Sequence, residues 1–295
     1  RALPAKAHRP RCRLHLHRIV AGQTMAKATK STARKPALAM PSIDKKESHL
    51  VVHLVAGLLV PLVRLLFAVR SRGVEKLPKS GAYILVGNHV TNVDALAVAY
   101  FIYRHLHRGP HFLAKEGLFR TPVIGPVLRA AGQIPVYRGG QRNDEPLRAA
   151  FDFLKAGHSI AIFPEGTLTR DPELWPMRGK PGAVRLALQA GVPVYPIGQW
   201  GSEQVLPQYG RKFRPGFWKT VNIVVGDEID LAAYRGKKLT PAEVHEATEL
   251  VMHRITELVS QLRGTVPPQE LWDPASHGQT QTGNFKKNQD KKAKN

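Results

Sequence analysis

Cysteine is almost missing from this chain: Cys12 is the single one in 295 residues. One thiol excludes an intrachain disulfide framework and a cysteine-based zinc site, and it fits a reducing compartment. Acidic residues are scarce too, with 22 Asp and Glu against 44 Lys and Arg and a formal net charge of +22. Such a chain is drawn to anionic surfaces, and charge alone does not choose between nucleic acid and anionic lipid. Long apolar runs are also lacking. The most apolar stretch, Leu50 to Val63, is followed by Arg64 and contains His53 and Pro61. A spanning helix needs about 20 apolar residues. Residues 48–72 therefore read as a membrane-interacting helical segment lying at an interface, with Arg64, Arg70 and Arg72 reaching head groups. A buried core helix is the alternative. No secretory leader is expected, because the early run Leu14 to Val20 is short and broken by His15, His17 and Arg18. No G-x-S-x-G motif is present, which argues against a serine nucleophile of that kind.

Residues 1–47 mix Lys and Arg with Ala, Pro, Ser and Thr and are expected to be a disordered basic arm. Residue 1 is Arg, so this stretch is read either as a fragment or as an upstream extension of a chain starting at Met25 or Met40, and no function is built on the arm. Residues 264–295 turn polar, with Lys286, Lys287, Lys291, Lys292 and Lys294, and are expected to be a disordered Lys-rich tail. Between them, residues 73–263 alternate strand-like and helix-like runs. Strands are expected at 83–86, 111–114, 133–136, 159–163, 193–197 and 221–225. Helices are expected at 95–106, 124–131, 145–155, 182–189 and 241–262. This alternation predicts a single α/β domain with a mostly parallel or mixed central sheet flanked by helices.

The chain turns on Gly87-Asn88-His89-Val90-Thr91-Asn92-Val93-Asp94. An apolar strand, Tyr83–Val86, leads into it and a helix follows, with Asp94 in the first turn, where carboxylates are favoured. A neutral imidazole takes a proton near pH 7, and a carboxylate fixes its tautomer and stabilises the imidazolium. At about 100° per residue the two are not a same-face helical pair. His89 must therefore sit in the turn for Asp94 to reach it.

Three further blocks follow in order. Gly132-Gln133-Ile134-Pro135-Val136-Tyr137-Arg138 runs a strand into a guanidinium, which suits bidentate phosphate binding. Phe163-Pro164-Glu165-Gly166-Thr167-Leu168-Thr169-Arg170 follows another apolar strand. Gly166 allows close backbone approach, and its N–H groups with the Thr167 hydroxyl suit phosphate oxygens. Glu165 suits a substrate hydroxyl or the orientation of a basic residue. The last block is Val192-Pro193-Val194-Tyr195-Pro196, where proline in a strand suggests an edge or a bend.

Together, H-x4-D at His89 and Asp94, G-x-I-x-V-x-R at Gly132 to Arg138, the F-P-E-G-T element and V-P-x-x-P resemble the 1-acyl-sn-glycerol-3-phosphate acyltransferase family of glycerolipid acyltransferases. The resemblance covers roughly residues 73–230. It departs in one place: Leu168 stands where the family has arginine, leaving Arg170, or Arg178 and Lys180, to supply that charge.

The resemblance implies direct acyl transfer from a thioester, acyl-CoA or acyl-carrier protein, to the hydroxyl of lysophosphatidic acid. No cofactor or metal is implied. His89 would be the base and Asp94 its partner. Arg138, Glu165, Gly166, Thr167 and Arg170 would hold the substrate phosphate, and Val192, Pro193 and Pro196 would shape the cleft. The implied location is the cytoplasmic face of the cell membrane, peripheral or monotopic, on an anionic surface, with no nucleic-acid partner. Glycerol-3-phosphate, another lysophospholipid or a glycolipid are alternative acceptors. A non-catalytic basic protein binding membrane or nucleic acid is the reading from a different class.

Overall fold

Each central strand sends successive side chains to opposite sides of the sheet, and both sides are apolar. In the computed structural model the described residues are 49–137, 145–210 and 212–280. The basic arm, Cys12, Arg138 and the lysines of the tail lie outside them. Among the described residues, seven strands form one sheet: β1 (Ala68–Arg72), β2 (Ile84–Gly87), β3 (His111–Lys115), β4 (Ile134–Val136), β5 (Ile160–Ile162), β6 (Val194–Trp200) and β7 (Thr220–Val225). Their order is β1-β7-β6-β2-β5-β3-β4. Neighbours run parallel except β6 and β7, which are antiparallel. This is the expected α/β domain with a mixed sheet.

A largely parallel sheet is covered on both faces, so its strands read as continuous apolar runs. Ile84, Val86, Ile160, Ile162 and Val194 enter one core cluster with the helices α5 (Glu145–Lys155), α6 (Gly182–Ala190) and α8 (Pro241–Arg263). Tyr83, Leu85, Ala161, Tyr195 and Ile197 enter the other, with α1 (His49–Leu66) and α2 (Asp94–Leu106). The short helices α3 (Glu116–Phe119), α4 (Ile124–Ala130) and α7 (Ser202–Val205) complete the chain order. Helix α8 starts at a capping box, Thr240 with Glu243, and has Pro at its first turn and Gly264 beyond its end at φ 65°. It crosses directly over β6: a Cβ on Gly198 would lie 2.7 Å from Leu258 Cβ.

Four expectations need correction. The apolar segment 48–72 is not helical throughout. The helix ends at Leu66, and Ala68–Arg72 pairs with β7 as an edge strand, so the domain's sheet begins before residue 73. That partner strand lies far downstream, where local pattern gives no signal. Helix α1 also runs through Pro61 and presents two faces. Ala56 and Val63 are buried, whereas Leu50, Leu54, Leu58, Leu62 and Leu65 are exposed. No helix among the described residues is long and apolar enough to cross a membrane.

Second, residues 265–280 of the tail lie against the domain. Met177 bridges to Trp272, Arg178 N–H donates to the Trp272 carbonyl at 2.9 Å, and His277 stacks on Trp272 at 3.6 Å. Third, β6 is central although it contains Pro196. The Pro196 carbonyl accepts from Gly226 N–H at 2.8 Å, so the proline nitrogen faces that same side. The missing N–H therefore points away from β2, and the parallel β2–β6 pairing loses no bond. Fourth, Val192 and Pro193 sit at the start of β6, the end remote from His89, with Val192 in the core. They do not shape the cleft.

Candidate active site

Parallel sheets bind ligands beyond the carboxyl ends of their strands. Two such ends, those of β2 and β5, are adjacent here and supply the candidate chemistry. The β2 chain leaves the sheet at Gly87, where an added Cβ would lie 2.8 Å from Ile197 Cγ1. The next residue, Asn88, is buried and locked to Gln199 by three bonds. Its Nδ2 donates to the Gln199 carbonyl (2.9 Å), its Oδ1 accepts from Gln199 N–H (2.9 Å), and its carbonyl accepts from Gln199 Nε2 (2.6 Å). This clamp sets the direction in which the turn departs.

In the turn, His89 Nδ1 lies 3.0 Å from Asp94 Oδ2. The same oxygen accepts from the backbone amides of Val90 at 2.6 Å and Thr91 at 2.8 Å. The other oxygen accepts from Ser202 Oγ at 2.5 Å and Thr91 Oγ1 at 3.4 Å. A carboxylate on Nδ1 assigns the proton to that nitrogen and leaves the Nε2 lone pair outward. The His89 side chain is 18% exposed and that of Asp94 0%. The ring also stacks on Phe163, centroids 4.3 Å apart, so packing and hydrogen bonding fix the same orientation.

The β5 end provides the second turn. Glu165 accepts from the His89 backbone N–H at 2.8 Å and from Met177 N–H at 3.3 Å. Thr169 N–H donates to the His89 carbonyl at 2.6 Å. The two motifs are thus stitched together through the histidine's own backbone. Burial pushes the Glu165 carboxyl up to about 8, against the opposing pull of the donors from His89, Met177 and Thr169. Glu203, in the first turn of α7, is also raised by burial, with Asp94 adding to the effect.

His89 and Asp94 thus meet as expected, and the phosphate residues separate. Gly166 adopts φ 67°, and its N–H donates to the Phe163 carbonyl at 2.9 Å, which closes the turn and uses that amide. A Cβ there would lie 3.1 Å from Lys180 Nζ, so the exposed Lys180 side chain lies on this turn. Thr167 is half-buried. Arg170 does not line an open clamp: it is 1% exposed, and its Nη1 donates to Thr280 Oγ1 at 3.3 Å. Arg178 is engaged by Asp273 at 2.9 Å. Lys180 is a cation that the fold sets against the Gly166 turn.

Ser202 was invisible in the sequence. It stands 108 positions from Asp94 and belongs to none of the four blocks. Only the Gly201 turn hints at it. Gly201 has φ 109°, and a Cβ there would meet the Thr220 carbonyl at 2.2 Å.

A family model of acyltransferases matches residues 68–200. The chloroplastic 1-acyl-sn-glycerol-3-phosphate acyltransferase BAT2 of Brassica napus is 35% identical over 140 residues, covering 46% of this chain and 38% of that protein. The 1-acyl-sn-glycerol-3-phosphate acyltransferase of Bacillus subtilis is 29% identical over 194 residues, 64% of this chain and 86% of that protein. The match spans 38% of the length of two chloroplastic relatives. The crystal structure of the 1-acyl-sn-glycerophosphate acyltransferase PlsC from Thermotoga maritima shares the fold, with TM-score 0.56, 24% identity, and coverage of 74% of this chain and 80% of that one.

Proposed function

We propose that this chain, whose residues 68–200 match a family model of acyltransferases, is an acyltransferase that moves a fatty acyl group from a thioester to the free hydroxyl of 1-acyl-glycerol-3-phosphate. The product is phosphatidic acid and the donor is acyl-CoA or acyl-carrier protein. The observation that carries the reading is the His89–Asp94 pair at 3.0 Å, placed at the carboxyl ends of the central strands.

In this mechanism the outward Nε2 of His89 takes the proton of the acceptor hydroxyl as its oxygen attacks the thioester carbonyl. The tetrahedral intermediate collapses with loss of the thiolate, to which the imidazolium returns the proton. Asp94 holds the ring and stabilises the imidazolium, and a positioned base of this kind contributes about 10²–10⁴-fold. No acyl-enzyme forms. Lys180, set against Gly166 and beside Thr167, binds the acceptor phosphate, with Arg138 as its counterpart from the second block. Glu165 fixes the histidine's backbone and does not touch the substrate.

The acceptor is tested by thiol release from oleoyl-CoA, and from an oleoyl-carrier protein, against lysophosphatidic acid, glycerol-3-phosphate and lysophosphatidylcholine. Release that needs lysophosphatidic acid is expected. Release with glycerol-3-phosphate but not with the lysolipid would assign a different acceptor. The basic surface and the exposed leucines of α1 support work at an anionic membrane.

A further inference from the structure

The connection between β6 and β7 lies at the His89 end of the sheet. Gly87 aligns with Ile197, and Trp200 aligns with Asn222, so residues 201–210 and 212–219 extend beyond the edge that carries the catalytic turn. β1 runs parallel to β7 from Ala68↔Thr220, which brings the last turn of α1 to the same edge. Two backbone bonds join these pieces: Gly216 N–H donates to the Leu66 carbonyl and Ala68 N–H to the Lys219 carbonyl, each at 2.8 Å.

The segment is Lys212-Phe213-Arg214-Pro215-Gly216-Phe217-Trp218-Lys219. It is well tied. Arg214 N–H donates to the Val205 carbonyl at 2.7 Å, and Lys219 Nζ donates to the carbonyls of Gln204 (2.7 Å) and Arg214 (2.6 Å). Its rings nevertheless face water. Phe217 is 69% and Trp218 70% exposed, edge to face at 5.1 Å, and Leu65, which precedes the Leu66 that binds Gly216, is 70% exposed. Apolar surface that a fixed loop holds in water marks a docking site more often than chance. Lys212 and Arg214 are exposed beside the rings, and no acidic residue occurs from Gln204 to Gly226.

We propose that Lys212–Lys219, continuous with the last turns of α1, is a docking surface for an anionic lipid bilayer and holds the His89 end of the sheet against it. Trp and Phe settle at the head-group boundary, where a ring is apolar on its body and wet at its edge. Lys212 and Arg214 supply the attraction to anionic head groups, which falls off within a Debye length. A soluble anion would match the charges but leave the rings uncovered. A second protein surface would need carboxylates opposite an acid-free segment.

The inference deepens the acyltransferase reading only in what docking is for, and binding is measured without turnover. The full chain is sedimented with vesicles of equimolar phosphatidylcholine and phosphatidylglycerol, and with phosphatidylcholine alone. Wild type is expected to prefer the anionic vesicles and to lose that preference in high salt. The Phe217→Ser, Trp218→Ser double variant, checked for fold by circular dichroism, is expected to bind about tenfold more weakly. Brominated lipid is expected to quench wild-type fluorescence more than that of Trp218→Phe. Equal vesicle binding by the double variant would overturn the proposal. So would a wild-type dimer that the double substitution dissociates while vesicle binding stays unchanged, because a second copy would then cover the rings. Failure here leaves acceptor-dependent thiol release standing, and lost turnover with intact vesicle binding would fail the chemistry alone.

Discussion

Asp94 and Glu165 are both buried, at 0% and 1% exposure, and both serve His89, yet they are held in opposite ways. Asp94 takes the ring. Its two oxygens accept from His89 Nδ1, two backbone amides and two hydroxyls. Glu165 takes the backbone, accepting from the amides of His89 and Met177, and burial still raises its proton affinity to about 8. A buried carboxylate costs free energy unless donors compensate it. Donor number therefore separates the carboxylate that holds the His89 ring from the one that braces two turns.

Replacing Asp94 strikes this contrast hardest. Asp94→Asn would keep one acceptor oxygen and turn an amide N–H₂ toward either the Val90 and Thr91 amides or the two hydroxyls. Turnover is expected to fall about 10²–10⁴-fold, and the melting temperature should fall with it. Unchanged turnover and melting would show that Asp94 organises neither ring nor turn.

Glu165→Gln tests the brace through pH. The folded carboxyl holds its proton up to about 8, whereas an unfolded glutamate releases it near its ordinary value of about 4.3. Between those values the native state binds more protons. Its stability therefore declines as pH rises through that window and levels off above it. Wild type is expected to lose about 4–8 °C in melting temperature relative to Glu165→Gln between about pH 5 and pH 8.5. Parallel curves would mean that Glu165 is ionised throughout.

A smaller effect belongs to the acceptor side. Lys180→Ala should raise the KM for lysophosphatidic acid about tenfold and leave the donor KM unchanged. Equal changes in both would make Lys180 a structural residue. The mildest change is Ser202→Ala, which removes one donor to Asp94. A kcat about 3–10-fold lower at constant KM is expected, with the acid limb of the pH–rate profile displaced and Ser202→Thr partly restoring both. A pure KM effect would contradict a positioning role.

Much of this was legible from local pattern. The runs before Gly87 and Phe163 announced buried strands, and the H-x4-D spacing required His89 in a turn. What escaped was long-range. Ser202 reaches Asp94 only through the β6–β2 pairing. β1 is hidden behind the apolar end of α1 because its partner lies far downstream. Trp272, the anchor of the tail segment, stands among polar residues that masked it. Arg170 resembled a phosphate ligand by position, and only the fold reveals that its side chain is buried. The proline in β6 misled for a backbone reason, since its missing N–H points away from β2 and leaves that pairing intact.

The most direct measurement is thiol release from oleoyl-CoA, with and without lysophosphatidic acid, by wild type and by His89→Ala. The mechanism predicts acceptor-dependent release by wild type. It predicts loss of at least about 10²-fold in the variant with an unchanged melting temperature, because Asp94 retains its backbone and hydroxyl donors. Near-wild-type release by a folded His89→Ala protein would contradict the assignment of His89 as the base.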